Sequence, residues 1–565
     1  MTNDKLGHCR WLMPPPAVGG HLAGISVPPF FTQLLQNRGV SDPAQVDPFL
    51  KVDDRLLNDP FLLPDIDKAV TRLQQALLSG EHVAVYGDFD ADGMTATAVL
   101  VQGLSRLGAT ATPYIPHRVE EGYGLNNSAL KRLSSQGVSL VITVDCGISN
   151  APEVEAARSM GVDVIVTDHH TVPPHLPPAA AVVDPKRADS RYPFPRLAGV
   201  GVAFKLLEAL FISLGHNSDM HDFLDLAALG TVADMEPLLG DNRYLVKHGL
   251  DVLRDSSRLG LQEMARCAGI PLASVDTEAI SWTLGPRLNA AGRVEHALVG
   301  YEILLTESPD EAQRLAAILE SRNAERQKIT EAVLEKARRK LEAKGTDSLL
   351  LVVGDDDFHS GVLGVVAGRL ADAWHRPVVV YEKGSKWSRA SARSIPEFDV
   401  VAAFTDCTDI LHRYGGHPMA AGCTVATERL PEFEERLLAI AESQLSSLDL
   451  RRTIAIDADV PLSCLNGDTF GMLQKLAPFG SANPYPTFIT RNVAVKHRRN
   501  VGVNGRHLKF KFKDGNAVWD GIGFRMGSLA GEVTSRLDIV YNLEVDQWRG
   551  DEILHLNVLD FAAVS

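Results

Sequence analysis

The stretch HVAVYGDFDADGMTATAVLVQGLSRLG, residues 82–108, decides the fold. It opens with HVAVY, a β-branched and aromatic run of strand length that stops at Gly87 and Asp88. From Thr95 onward the apolar positions recur at helical spacing through TATAVLVQGLSRLG. Two more runs of the first kind follow, VSLVITVDCG (138–147) and VDVIVTDHH (162–170), with the helical stretch PEVEAARSM (152–160) between them. Strands alternating with helices predict a parallel sheet and an α/β fold. Each of the three strands runs into acidic residues: Asp88, Asp90 and Asp92 after the first, Asp145 after the second, and Asp168, His169 and His170 after the third. Ligands of an open parallel sheet sit beyond the carboxyl ends of its strands, so these side chains are expected at one edge. A fourth segment, DLAALGTVADMEPL, reads as a helix up to Thr231 and places Asp234 at its end.

So many carboxylates in one place repel one another unless cations neutralise them. Asp with His, and no Cys, suits Mn²⁺ or Mg²⁺, and imidazole favours Mn²⁺. Two such ions about 3.5–4 Å apart can share a carboxylate and activate a water against phosphorus. A single DxDxDG is equally a calcium-type or plain Asp-rich turn. A single DHH equally satisfies loop hydrogen bonds. Four such segments at strand ends are not explained as solvated turns, and a metal site is expected.

The rest of the chain bounds the class. Its 565 residues are 45% hydrophobic and 22% charged, an ordinary globular balance for three or four domains. No apolar run reaches the roughly 18–20 residues that cross a bilayer. MTNDKLGHCRWLMPPPAV lacks the basic start and apolar stretch of a secretory leader. Six scattered cysteines without a CxxC pair argue for a reducing compartment, and the cytoplasm is expected. The net charge of −15 argues against a passive nucleic-acid coat, although affinity follows local charge.

The organisation expected is a lead-in over 1–50, a metal-binding catalytic domain over 51–305, a connecting helix over 306–345, a smaller α/β domain over 346–448, and a β-barrel domain over 449–565. Within the last, RNVAVKHRRNVGVNGRHLKFKFK (491–513) holds eight Lys or Arg and no Asp or Glu. Lys509, Lys511 and Lys513 alternate with Phe510 and Phe512. A strand therefore turns its cations to one face, where they can track phosphates, and its Phe rings to a barrel core.

GDFDADGMTA, TVDCGIS, VTDHH and GTVADMEPL resemble the four metal motifs of DHH-family phosphoesterases. GPRLNAAGR (285–293), HSGVLGVVAGRL (359–370), SARS (391–394) and RYGGHPMAAG (413–422) resemble the remainder of the RecJ family of bacterial single-stranded-DNA-specific exonucleases. With the terminal β domain the resemblance covers nearly the whole chain. It implies a DHH domain and a DHHA1 domain joined by a long helix, a C-terminal OB-fold closing a ring around the strand, and 5′→3′ release of mononucleotides with two divalent cations, Mn²⁺ or Mg²⁺. It puts Asp90, Asp92, Asp145, His169 and Asp234 on metal positions, with Asp145 bridging and Asp88 as ligand or support. It has Asp168 orient His169 and His170 face the scissile phosphate. Arg118, Arg287, Asn289, Arg293, Ser391 and Arg393 fall on substrate positions, and Gly415, Gly416 and His417 complete a terminal-phosphate pocket, while Lys509 and Lys511 bind the strand. It further implies recombination and mismatch repair beside a RecQ-type helicase and single-strand-binding protein. A monomer is expected. The rival readings are another phosphoesterase of the superfamily, acting on nano-RNA or cyclic dinucleotides, a Cdc45-like scaffold without activity, and a plain DNA-binding module. The first usually lacks the basic β domain, and the second has degraded ligand positions.

Overall fold

A computed structural model describes residues 9–15, 27–118, 120–216, 219–294, 297–548 and 551–564. The chain divides into two compact units: Ala17–Asn323 with Gly467–Tyr485, and Met1–Pro16 with Ala324–Asn466 and Pro486–Ser565.

The first unit is built on a five-stranded parallel sheet in the order Thr110–Tyr114, His82–Tyr86, Val138–Val144, Asp163–Thr167, Ala181–Val183. The three central strands are the runs that the sequence marks. They are buried on both faces, as near-continuous Val and Ile runs in parallel sheets are. The helix Ala91–Arg106 follows the first of them and is buried along nearly its whole length. Small residues allow that approach. A Cβ at Gly93 would stand 2.6 Å from the backbone of Asp88, and one at Gly103 would enter the Leu207 side chain. Against this helix pack Gly199–Leu214 and Leu224–Ala233, and the three share one apolar core with the sheet.

Gly467–Tyr485 packs in this unit, although the sequence places it in the barrel domain. The reason is a pair of arginines. Arg243, fully buried, donates to the carbonyls of Leu476 (2.8 Å) and Ala477 (2.9 Å). Arg38 donates to Asn483 Oδ1 and Pro484 O, both at 2.7 Å.

The helix Pro309–Lys344, 36 residues long, runs from the first unit into the second. The second unit holds a mixed sheet in the order Leu411–His417, Ala420–Ala426, Trp387–Arg393, Val378–Glu382, Leu351–Asp355, of which only the last pair is parallel. It also holds a barrel of five long strands, Phe488–Val501, His507–Asp514, Ala517–Gly523, Asp551–Ala563 and Arg536–Trp548, closed by pairing of the last with the first. Phe510 and Phe512 are in the barrel core, their rings 5.0 Å apart, and the lysines alternate with them outward. The lead-in contributes a strand, Arg10–Leu12, parallel to Thr453–Ala455.

Candidate metal centre and phosphate-binding face

Four segments bring their acidic residues together beyond the strand ends, and each is fixed by backbone chemistry. Asp90 caps the helix Ala91–Arg106, accepting from the amides of Asp92 (3.0 Å) and Gly93 (3.1 Å). Asp92, the second residue of that helix, reaches a second helix end: its carboxylate accepts from Gly199 N (2.6 Å) and Val200 N (2.8 Å), the first amides of Gly199–Leu214. Asp145 leaves its strand in the left-handed region at φ 59°, a conformation uncommon for non-glycine residues, though Asp adopts it more readily than most. Gly199 has to be glycine here, because a Cβ would stand 2.6 Å from that of Asp145. Asp234 follows the helix Leu224–Ala233, and Met235 beside it is left-handed too, at φ 61°.

Two ligand sets result. His169 Nε2 lies 3.0 Å from Asp145 Oδ1, 3.8 Å from Asp234 Oδ2 and 3.9 Å from Asp92 Oδ2. Asp88, Asp90 and Asp145 form the other set, with ligand atoms within 4.8 Å of one another, so Asp145 stands between the two. Asp88 Oδ1 is buried and accepts no hydrogen bond among the described residues. Burial, and then the neighbouring carboxylates, push Asp88, Asp145 and Asp234 well above the usual carboxylate range. Burial pushes Asp92 up to about 6. Closely packed, acceptor-only oxygens with one imidazole and no thiolate are a donor set for Mn²⁺ or Mg²⁺, and the residues fit two such ions.

The supports differ from the expected ones. Asp168 does not orient the His169 ring. Its carboxylate binds His170 Nδ1 at 2.8 Å and the amides of Ile148, His169 and His170. Burial opposes the Asp168 charge, yet the His170 bond holds it below its ordinary range. The carboxylate facing His169 Nδ1 is Glu236, at 3.5 Å. Tyr123 adds a second contact, its hydroxyl 3.1 Å from His170 Nδ1 and 3.2 Å from the Asp145 carbonyl. Glu236, Tyr123, Gly199 and Val200 went unread in the sequence. Only Glu236 had a signal there, two residues past Asp234.

The expected substrate residues divide. Arg287 is not free for phosphate: its guanidinium pairs with Glu320 (2.6 Å) and bonds Thr283 O (2.8 Å). Asn289 is also committed, its Oδ1 accepting from Ala91 N at 2.8 Å, which ties it to the metal loop. Arg118 lies 4.6 Å over the Phe89 ring, in the chain between Asp88 and Asp90. The Arg293 side chain lies outside the described residues. In the second unit, Ser391 and Arg393 share one face of their strand. A Cβ on Gly364, in the first turn of the helix Leu363–Trp374, would stand 3.0 Å from Arg393 Nη2 and 3.1 Å from Ser391 Oγ. A serine, an arginine and the first turn of a helix thus lie together at one place. Gly415, Gly416 and His417 end the edge strand Leu411–His417, paired with Gly422, Ala421 and Ala420. Gly416 needs its φ of 141°, and a Cβ would stand 2.3 Å from Ala420 O. Lys509 is half-buried on the outer barrel face, and Lys511 is exposed with Asp520 at 3.6 Å.

A parallel sheet with two carboxylate sets sharing one aspartate defines the class, a two-metal phosphoesterase of the DHH type. Family models agree: the DHH family N-terminal domain over residues 82–231, the DHHA1 domain over 346–445 and the RecJ OB domain over 456–560. The chain is 38% identical to the single-stranded-DNA-specific exonuclease RecJ of Bacillus subtilis strain 168, over 96% of this chain and 69% of that protein. A crystal structure of RecJ from Thermus thermophilus in complex with Mn²⁺ superposes with a TM-score of 0.85 at 33% identity, covering 98% of this chain and 80% of that one. The same protein in complex with Mg²⁺ gives 0.78 at 31% identity, covering 98% and 79%. The chain belongs to the RecJ family. No helix among its described residues is long and apolar enough to cross a membrane.

Proposed function

We propose that the chain is a single-stranded-DNA-specific 5′→3′ exonuclease that releases 5′ mononucleotides by phosphodiester hydrolysis with two divalent cations, Mn²⁺ or Mg²⁺. The observation that carries the reading is Asp145, shared by two ligand sets at the strand ends. Asp92, His169 and Asp234 would hold one ion, Asp88 and Asp90 the other, and Asp145 both. Bound there, the ions lower the pKa of an attacking water and neutralise charge on the phosphoryl oxygens.

The chain's own residues do the rest. The Gly199 and Val200 amides keep Asp92 aimed before substrate arrives. The Asp168 carboxylate accepts from His170 Nδ1–H and fixes the ring, with the Tyr123 hydroxyl beside it, and as an imidazolium the ring would present Nε2–H to the phosphoryl oxygens as charge develops. Glu236 supports His169 from behind. Ser391 and Arg393, with the helix amides beside Gly364, receive the terminal 5′ phosphate, and Gly415, Gly416 and His417 wall that pocket. Arg118 and Arg293 add cationic charge on the metal-bearing unit. A pocket for the terminal phosphate gives polarity and mononucleotide products. Lys509 and Lys511 track the phosphates behind it. The family resemblance supports single-strand-binding protein and a RecQ-type helicase as partners in recombination and mismatch repair, and a cytoplasmic monomer.

The test is single-stranded DNA labelled at its 3′ end, incubated with Mn²⁺, Mg²⁺ or EDTA beside Asp90→Ala. A metal-dependent ladder shortening from the 5′ end, absent in the variant, is expected. Intact DNA with cleavage of dinucleotides alone overturns the substrate.

A further inference from the structure

The sheet of the second unit is covered unevenly on the face that carries Ser391 and Arg393. The helix Leu363–Trp374 packs over the strand Val378–Glu382 and the Ser391–Arg393 end of Trp387–Arg393, with Val378, Val380, Leu351 and Val353 in its apolar bed. Beyond Ser391 the same face continues onto Arg389 and Trp387, while Ser388, Ala390 and Ala392 turn to the opposite side. Across the neighbouring strands the register sets Arg389 opposite Thr424 and Thr424 opposite Arg413. Ser391 is likewise opposite Gly422, and Gly422 opposite Gly415. The floor is therefore threonine and glycine, and two arginines stand on either side of it. They line a cleft of about 330 Å³ with Gly415, Gly422 and Thr424.

The charge there is uncompensated. Several other arginines of this unit are paired, among them Arg429 with Glu432, Arg436 with Asp409 and Arg369 with Glu331. Among the described residues neither Arg389 nor Arg413 has a carboxylate within 4.0 Å, and Arg413 has only a 3.4 Å contact from Nε to Thr424 Oγ1. In a chain of net charge −15, two exposed guanidiniums on either side of Thr424, next to the Gly422–Gly415 pair, have the chemistry to take an anion.

We infer that Arg389 and Arg413 form a second phosphate subsite, which takes the outer phosphates of a single strand that ends in a 5′-di- or triphosphate. The inference rests on the reading of Ser391 and Arg393 as the terminal-phosphate pocket. Same-face neighbours on a strand lie about 7 Å apart, so Arg389 is one such step past Ser391, within reach of one linear polyphosphate. The phosphate nearest the sugar sits at Ser391 and Arg393, and the outer ones extend over Gly422 and Gly415 into the arginine pair. The cleft thereby widens the substrate class to polyphosphorylated ends without changing the bond cleaved.

The experiment compares 3′-labelled oligonucleotides with a 5′-monophosphate or a 5′-triphosphate end, degraded by the full chain and by Arg389→Gln, Arg413→Gln and the charge-keeping Arg389→Lys. The wild type is expected to degrade both substrates with KM values within about 3-fold of each other. Each Gln variant should raise KM about 10-fold for the triphosphate end alone, the loss of one charge-assisted contact, and Arg389→Lys should recover part of it. A wild type that degrades monophosphate ends but leaves triphosphate ends intact overturns the subsite while the exonuclease reading stands. Equal loss on both ends also overturns it. Failure on both substrates by the wild type overturns the exonuclease reading itself, on which the subsite rests.

Discussion

The metal centre and the arginine-bearing sheet face handle charge in opposite ways. At the metal centre Asp88, Asp92 and Asp145 are buried and crowded, and backbone amides hold Asp90 and Asp92, so much of the arrangement is set before any ligand arrives. On the sheet face, and on the lysine side of the barrel, the cations are exposed or half-exposed on strands, with few side-chain partners. Buried charges in low dielectric interact strongly and tolerate no displacement, whereas exposed charges act additively and are screened by salt. Chemistry that depends on ångström placement resides in the first region, and recognition of a long, uniform polyanion resides in the second.

The contrast breaks first at Asp145. Asp145→Ala should lower turnover by about 10³-fold or more, because both ligand sets lose a member. Fluorescence anisotropy should show DNA affinity within about 2-fold of wild type. Gly199→Ala removes no ligand, yet its methyl would stand 2.6 Å from Asp145 Cβ and 2.8 Å from Asp145 Oδ1 and so displaces that carboxylate. About 10²-fold loss in kcat is expected with an unchanged circular dichroism spectrum, since misplacement of about 1 Å has that effect. Arg393→Ala should raise KM about 10-fold on 5′-phosphorylated ends and leave 5′-hydroxyl ends unaffected. Lys509→Ala with Lys511→Ala should reduce the slope of log affinity against log salt by about 1.4, two single-strand phosphate contacts, with kcat unmoved. Smallest of all, Arg287→Ala should lower Tm by about 2–4 °C without changing KM, as expected for an internal ion pair; a KM change instead would return Arg287 to the substrate.

The strands that carry Asp88, Asp145 and Asp168 were legible because a parallel-sheet strand writes its burial as consecutive Val and Ile. The strand Thr110–Tyr114 was not, because TATPY contains a proline, is half-exposed and lies at a sheet edge. The ligands themselves were legible from short spacings. Their supports were not. Gly199 and Val200 act through backbone amides, which have no residue signature, and Tyr123 meets His170 across 47 residues of chain. Arg287 was misread for the same reason. An arginine inside the string GPRLNAAGR reads alike whether it faces phosphate or a glutamate 33 residues away. The Phe and Lys alternation of the barrel was readable because a strand's period of two admits one arrangement.

The excursion of Gly467–Tyr485 into the metal-bearing unit has a practical result for anyone who shortens the chain. Truncation near residue 450 removes the barrel and, with it, the carbonyls of Leu476 and Ala477 that receive the buried Arg243 guanidinium. An interior charge stripped of its acceptors destabilises its surroundings by about 3–5 kcal/mol. An inactive truncation would therefore report a weakened catalytic unit as much as a lost DNA grip. Excising Pro486–Ser565 alone, with Gly467–Tyr485 left attached, separates the two.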